Sequence, residues 1–178
     1  MNAKKQAPRS RVADALDNFV LRIGRVTSWL YAVLVAIVIL QVVLRYGFAQ
    51  GKVALEELQW HLYAVAFLMG LSYALVTNSH VRVDILTPRF PYRTREWVEI
   101  FGIVFLLIPF IILVILHSLN FVGDSWTHSE RSAAPMGLPY RWLIKSFIPI
   151  CFALWGLSAV SRVIRAITYL KRKNYATD

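Results

Sequence analysis

The sequence predicts an all-α membrane protein with four transmembrane helices, both termini in the cytoplasm and a short interfacial amphipathic helix near the N-terminus. Three observations lead there. Hydrophobic residues make up 57% of the 178 residues, and the mean hydropathy is +0.52, more apolar than a soluble core of that length needs. The apolar residues fall into four long runs, the second of which (58–79) contains no Asp, Glu, Lys or Arg. Twenty helical residues rise about 30 Å, the thickness of a bilayer's hydrocarbon core. Finally, the 20 Lys and Arg and 10 Asp and Glu lie almost entirely outside these runs. The net charge of +10 would suggest nucleic acid in a soluble chain. Here it is a topology signal, and no nucleic-acid partner is expected.

Residues 1–13 hold Lys4, Lys5, Arg9 and Arg11 with Pro8 and no apolar period, which predicts a flexible basic tail. Over 14–25, Leu16, Phe19, Val20 and Ile23 recur at helical spacing, with Asp14, Asp17, Asn18 and Arg22 on the other faces. That pattern predicts an amphipathic helix in the headgroup layer; the alternative is a simple extension of the first crossing. The four-helix domain then occupies 26–170, with crossings at about 26–44, 57–78, 98–122 and 142–167, before a basic tail over 171–178. The first run, Val26–Leu44, is too long for a signal peptide's core and leads into Arg45 without a small-residue cleavage site.

The second crossing opens on Glu56 and Glu57 and closes on His80, Arg82 and Asp84, which alternate with Val81, Val83 and Ile85 in an extended-looking pattern. Ala66, Gly70 and Ala74 repeat every four residues along one face, a spacing that lets helices approach closely in lipid. This stripe is the candidate contact with a larger membrane partner. The third crossing contains Pro109 near its middle, where a proline frees a carbonyl and kinks the helix. A polar loop follows from Asp124 to Arg141. In the fourth crossing only 16 residues separate Lys145 from Arg162, so both side chains must reach outward to water.

Orientation comes from the basic residues. The N-terminal part, the 78–97 connection and the C-terminal part hold fifteen, whereas the two opposite connections hold five: Arg45, Lys52, Arg131, Arg141 and Lys145. Positive charge stays on the cytoplasmic side, so both termini are expected there.

Chemistry is sparse. The middle thirds of the four runs lack any Asp, Glu, Lys, Arg or His, so no proton relay or carboxylate clamp can be assembled from this chain alone. No GxSxG, HExxH or glycine-rich phosphate loop occurs, and the single Cys151 permits neither an internal disulfide nor a thiolate cluster. No catalytic, cofactor-binding or metal-ligating set is expected, and the chain is read as no enzyme. One alternative uses His61 and His117 as axial ligands of a b-type haem in a membrane electron carrier. Glu56 and Glu57 have two readings: carboxylates favoured by a helix N-terminus, or docking points for a soluble partner.

The order Arg45-Tyr46-x-Phe48, Glu56-Glu57-Leu58 and His80-Val81-Arg82-Val83-Asp84, followed by Gly137-Leu138-Pro139 before the last crossing, resembles the small membrane subunit of tripartite ATP-independent periplasmic (TRAP) transporters. The resemblance covers roughly residues 26–167. Ala54 stands where many members have Trp, and Leu58-Gln59-Trp60 looks like the branch associated with 2-oxo acids and other monocarboxylates. The resemblance implies a non-catalytic small permease subunit. It would brace a large membrane subunit that carries organic acids with sodium, supplied by a periplasmic substrate-binding protein, with membrane lipids around the assembly. Empty helix centres are consistent with such a role.

Overall fold

The computed structural model describes residues 10–77 and 91–174. Its elements are α1 (Arg11–Gly47), α2 (Val53–Val76), α3 (Tyr92–Gly102), a π-helical turn (Ile103–Leu107), α4 (Ile108–Thr127) and α5 (Arg141–Asn174). Because α3, the π turn and α4 run on without a gap, four helices are long and apolar enough to cross a membrane. The described residues contain no strand.

α1 is one unbroken helix, so residues 14–25 are not a separate element as the amphipathic pattern suggested. They continue the rod of the first crossing. No proline interrupts the stretch, and its apolar stripe is used within the chain: Ala13 and Val20 are buried, and Ser161 of α5 donates to the Ala13 carbonyl at 3.2 Å. A helix secured on α5 over its first turns has no cause to bend where the apolar run begins. At the other end, Gln50 N donates to Leu44 O at 2.8 Å, and Ala49 takes a left-handed φ of 54° to turn the chain into α2.

Pro109 has the local effect expected of it, in a specific form. It lacks an N–H, and its ring would strike the carbonyl of Phe105 in a regular helix. The five-residue π turn directly before α4 contains that residue and widens the ladder there. α5 contains a second internal proline, Pro149.

α5 is the central helix. It packs against α1, α2, α3 and α4, whereas α4's principal neighbour is α5. The buried cluster is Val65, Met69, Cys151 and Leu154, with Ile23, Leu30, Ile144 and Phe147 around it. Among the described residues the fully enclosed side chains are small or medium-sized: Val20, Cys151, Ser72, Ser125, Ser158 and Ser161 are the largest. Lipid removes the hydrophobic reward for burying Leu or Ile, so helices associate through small residues and interhelical hydrogen bonds. Ser158 Oγ accordingly donates to Leu154 O at 3.0 Å and lies 3.4 Å from Ser72 O on α2.

Candidate functional site

Two polar clusters mark the ends of the bundle. At the end holding the α1–α2 and α4–α5 connections, the neighbouring acids Glu56 and Glu57 point to different partners. Glu56, in the first turn of α2, accepts from Gln41 Nε2 at 3.2 Å and pairs with Arg45 at 3.4 Å. Its side chain is half exposed. Glu57 is buried at 8%. Its Oε2 accepts from the backbone N–H of Leu138 at 2.6 Å, and its Oε1 accepts from the Ser132 hydroxyl.

Of the two acids, then, Glu56 is half exposed and Glu57 is buried. A helix places consecutive side chains about 100° apart, so one acid faces α1 and the other the incoming loop. The space around Glu57 is tight. A Cβ on Gly137 would stand 2.5 Å from Ser132 Cβ and 2.9 Å from Glu57 Oε1, so this position admits only glycine without rearrangement.

A second carboxylate completes the loop anchor. Glu130 binds Lys145, lies 3.7 Å from Arg141, and accepts the Arg141 backbone N–H through its own carbonyl at 3.2 Å. The Lys145 ammonium also sits 3.7 Å from the Phe121 ring centroid. Lysine near a membrane edge is here paired rather than simply reaching for water. The Lys145 hydrogen bond, aided by Arg141, lowers the Glu130 carboxyl below its ordinary 4.5. Ser129, Met136 and Tyr140 hold left-handed φ values of 46°, 62° and 62°, which the anchored loop sustains.

At the opposite end, Arg165 binds Asp14 at 2.7 Å and Asp17 at 3.0 Å, while Arg162 makes a bidentate pair with Glu99, both contacts 2.6 Å. Two arginines one turn apart on α5 thereby tie down α1 and α3. Arg162 was expected to reach outward to water, yet only 16% of its side chain is exposed. The sequence pattern missed this cluster because Asp14, Asp17 and Glu99 look like the solvated faces of their own helices.

The remaining candidates separate. Of the small-residue stripe, Ala66 is buried at 3%, and it shares a hollow with Gly24, Gly70 and Tyr73 along the α1–α2 seam. Gly70 has open space where a Cβ would be. α1 comes close to α2 at Gly24, where a Cβ would lie 2.6 Å from Tyr73 Cδ2. An isolated glycine inside an apolar helix was the available signal. Tyr46 and Phe48 point outward. His80, Arg82 and Asp84 lie outside the described residues.

His61 and His117 are not brought together. His61 lines a cleft formed by α1, α2 and α5, whereas His117 is exposed on α4 with Nδ1 2.9 Å from the Leu113 carbonyl of its own helix. The cleft that His61 lines does not include His117, and the electron-carrier alternative has no support.

The geometry joins motifs that are distant in sequence: Arg45 meets Glu56, and the Gly137-Leu138-Pro139 turn closes on Glu57. The sequence model of the DctQ component of tripartite ATP-independent periplasmic transporters matches residues 34–168. The chain belongs to the DctQ family. That range includes α2, α3 and α4 entirely, most of α5 and the C-terminal part of α1. A comparison with curated proteins finds no match. As a DctQ-family member the chain is the small permease subunit of a TRAP transporter, a multi-pass membrane protein and a transport component.

Proposed function

We propose that this DctQ-family subunit is a non-catalytic brace for the large membrane subunit of a sodium-coupled importer of organic acids, fed by a periplasmic substrate-binding protein. The observation that carries this reading is where the charges sit. The polar clusters are at the bundle's two ends, and the ion pairs there fasten helices to one another. A transport site needs ionisable groups or unwound backbone at mid-membrane, and the sequence supplies no such charge. The coupling ions and substrate then belong to the larger partner. In this proposal both termini are cytoplasmic in the bacterial inner membrane, following the fifteen-to-five distribution of basic residues.

Support for a bracing role also comes from the bare apolar surface, above all on the π turn and α4, where Phe105, Leu106, Phe110, Leu113 and Leu116 are exposed. Gly70, open at its Cβ position, is the member of the small-residue stripe free to admit a partner helix. On the periplasmic side, Glu56 is the acid available for docking the binding protein.

Co-expression with the large subunit and affinity purification through a tag on this chain should recover a stoichiometric complex. Substrate uptake by this chain alone in liposomes would overturn the proposal.

A further inference from the structure

The tip of the α4–α5 loop breaks a rule of turn chemistry. Gly137 N donates to Ala134 O at 3.0 Å, closing a four-residue turn, and Ser132 N donates to Leu138 O at 3.3 Å beside it. Pro135 holds the second position of that turn, and Met136 holds the third with a φ of 62°. Proline second and a positive φ third is the type II pattern, whose third position favours Gly or Asn. Methionine there is strained. Gly137 does not relieve it, since glycine at 137 answers to the lack of room beside Ser132 and Glu57. Such strain persists only where the surroundings enforce it. Glu57 does so, by holding the Leu138 N–H and the Ser132 hydroxyl on either side of the tip.

The strain puts an apolar side chain on display. Met136 is 91% exposed, more than any other large apolar residue among the described residues. Tyr140 on the same loop also has a left-handed φ and is exposed, as is Arg131. Met, Tyr and Arg are enriched in protein–protein interfaces, and the unbranched thioether of Met adapts to an apolar pocket.

The height of the tip decides what can reach it. Trp126 and Trp142, whose rings lie 4.5 Å apart, flank the loop, and tryptophan marks the headgroup level of a membrane helix. The loop between them is on the water side of that level. It also crosses the end of the bundle, bonding to the start of α2 and bordering the space between α1, α2 and α5 with Leu138, Pro139 and Tyr140. Acyl chains and membrane helices meet the flanks of the bundle. A tip above its end meets what arrives through water.

We propose that Met136 is a docking knob for the periplasmic substrate-binding protein, received by an apolar pocket on that soluble partner. This rests on the proposed role in a binding-protein-dependent importer, and it adds a rigid apolar contact to the acid at Glu56.

The test places a photo-crosslinking amino acid at Met136 in cells that express this chain, the large subunit and the binding protein, with the same probe at Leu113 on α4 as control. Irradiation should link Met136, and not Leu113, to the binding protein. A link from Met136 to the large subunit or to lipid, or no link at all, overturns the proposal. Recovery of the large subunit through a tag on this chain, from the same membranes, reads the bracing role separately, so either idea can fail alone. Met136→Gly supplies the residue the turn favours, so the thermal midpoint should hold or rise. The concentration of binding protein giving half-maximal uptake should nevertheless rise several-fold, with the maximal rate unchanged, and Met136→Leu should stay near the parent. A half-maximal concentration equal to the parent's in Met136→Gly overturns the proposal. So does a fall in both the midpoint and the maximal rate, which marks a structural role.

Discussion

Glu57 Oε2 accepts a 2.6 Å hydrogen bond from the backbone N–H of Leu138, 81 residues further along the chain. That bond makes the start of α2 and the α4–α5 loop one body. Charged acceptors strengthen such bonds, and the same carboxylate also holds the Ser132 hydroxyl. Two strong donors on one acid explain how a loop with three left-handed non-glycine residues keeps a single path.

Glu57→Gln removes the charge while preserving shape, so the loop should loosen with the helices intact. Hydrogen exchange at the Leu138 amide should rise by about tenfold or more, and limited proteolysis should cut within 128–140 sooner. Unchanged exchange at Leu138 would mean that the loop is held by Glu130 alone.

The Gly24–Tyr73 contact sets how closely α1 approaches α2. Gly24→Ala should cost about 1–3 kcal/mol through overpacking, read as a lower midpoint of thermal unfolding in detergent. Adding Tyr73→Leu should recover part of that loss, since the new methyl then meets a shorter side chain. Additive losses in the double variant would show that the two positions act separately.

Arg165→Ala leaves Asp14 and Asp17 without their guanidinium and should cost about 1–3 kcal/mol, reduced from a fully buried pair by partial exposure. The effect should concentrate in α1. Cysteine-accessibility labelling at Asn18 should increase, while labelling at Trp126 on the opposite end stays constant.

Acid should release the Glu130 anchor. Its folded-state carboxyl lies below the ordinary 4.5 because Lys145 stabilises the charged form. The contribution is fully present above 4.5 and is lost as the pH falls through the lower folded value. Relative to Glu130→Gln, the parent protein should be more stable at neutral pH, and the difference should shrink only below about pH 4.5. A difference that persists at strongly acidic pH would rule out a charge-based anchor.

Much of this architecture was readable in advance. Each apolar run became a helix long and apolar enough to cross a membrane. The centre of α2 carries only apolar, polar-uncharged and small residues. Less was readable at the ends. Glu56 and Glu57 looked equivalent in sequence, yet one is half exposed and the other sealed, because a single-residue step rotates the side chain from α1 toward the loop. His61 and His117 looked like a possible ligand pair, yet His61 lines the cleft between α1, α2 and α5 and His117 is exposed on α4.

The sequence by itself determined that the chain holds four runs long and apolar enough to cross a membrane, and that no formal charge stands in the middle of those runs. Those properties follow from transfer energies of local segments, and a run of apolar residues reports them regardless of its neighbours. Only the tertiary structure decided that 14–25 continues α1, that Arg162 and Arg165 are tied to acids on other helices, and that Glu57 closes a loop from the far end of the chain. Each of those depends on which helix faces which, and in lipid that choice rests on small residues and paired polar groups whose partners lie far away in sequence.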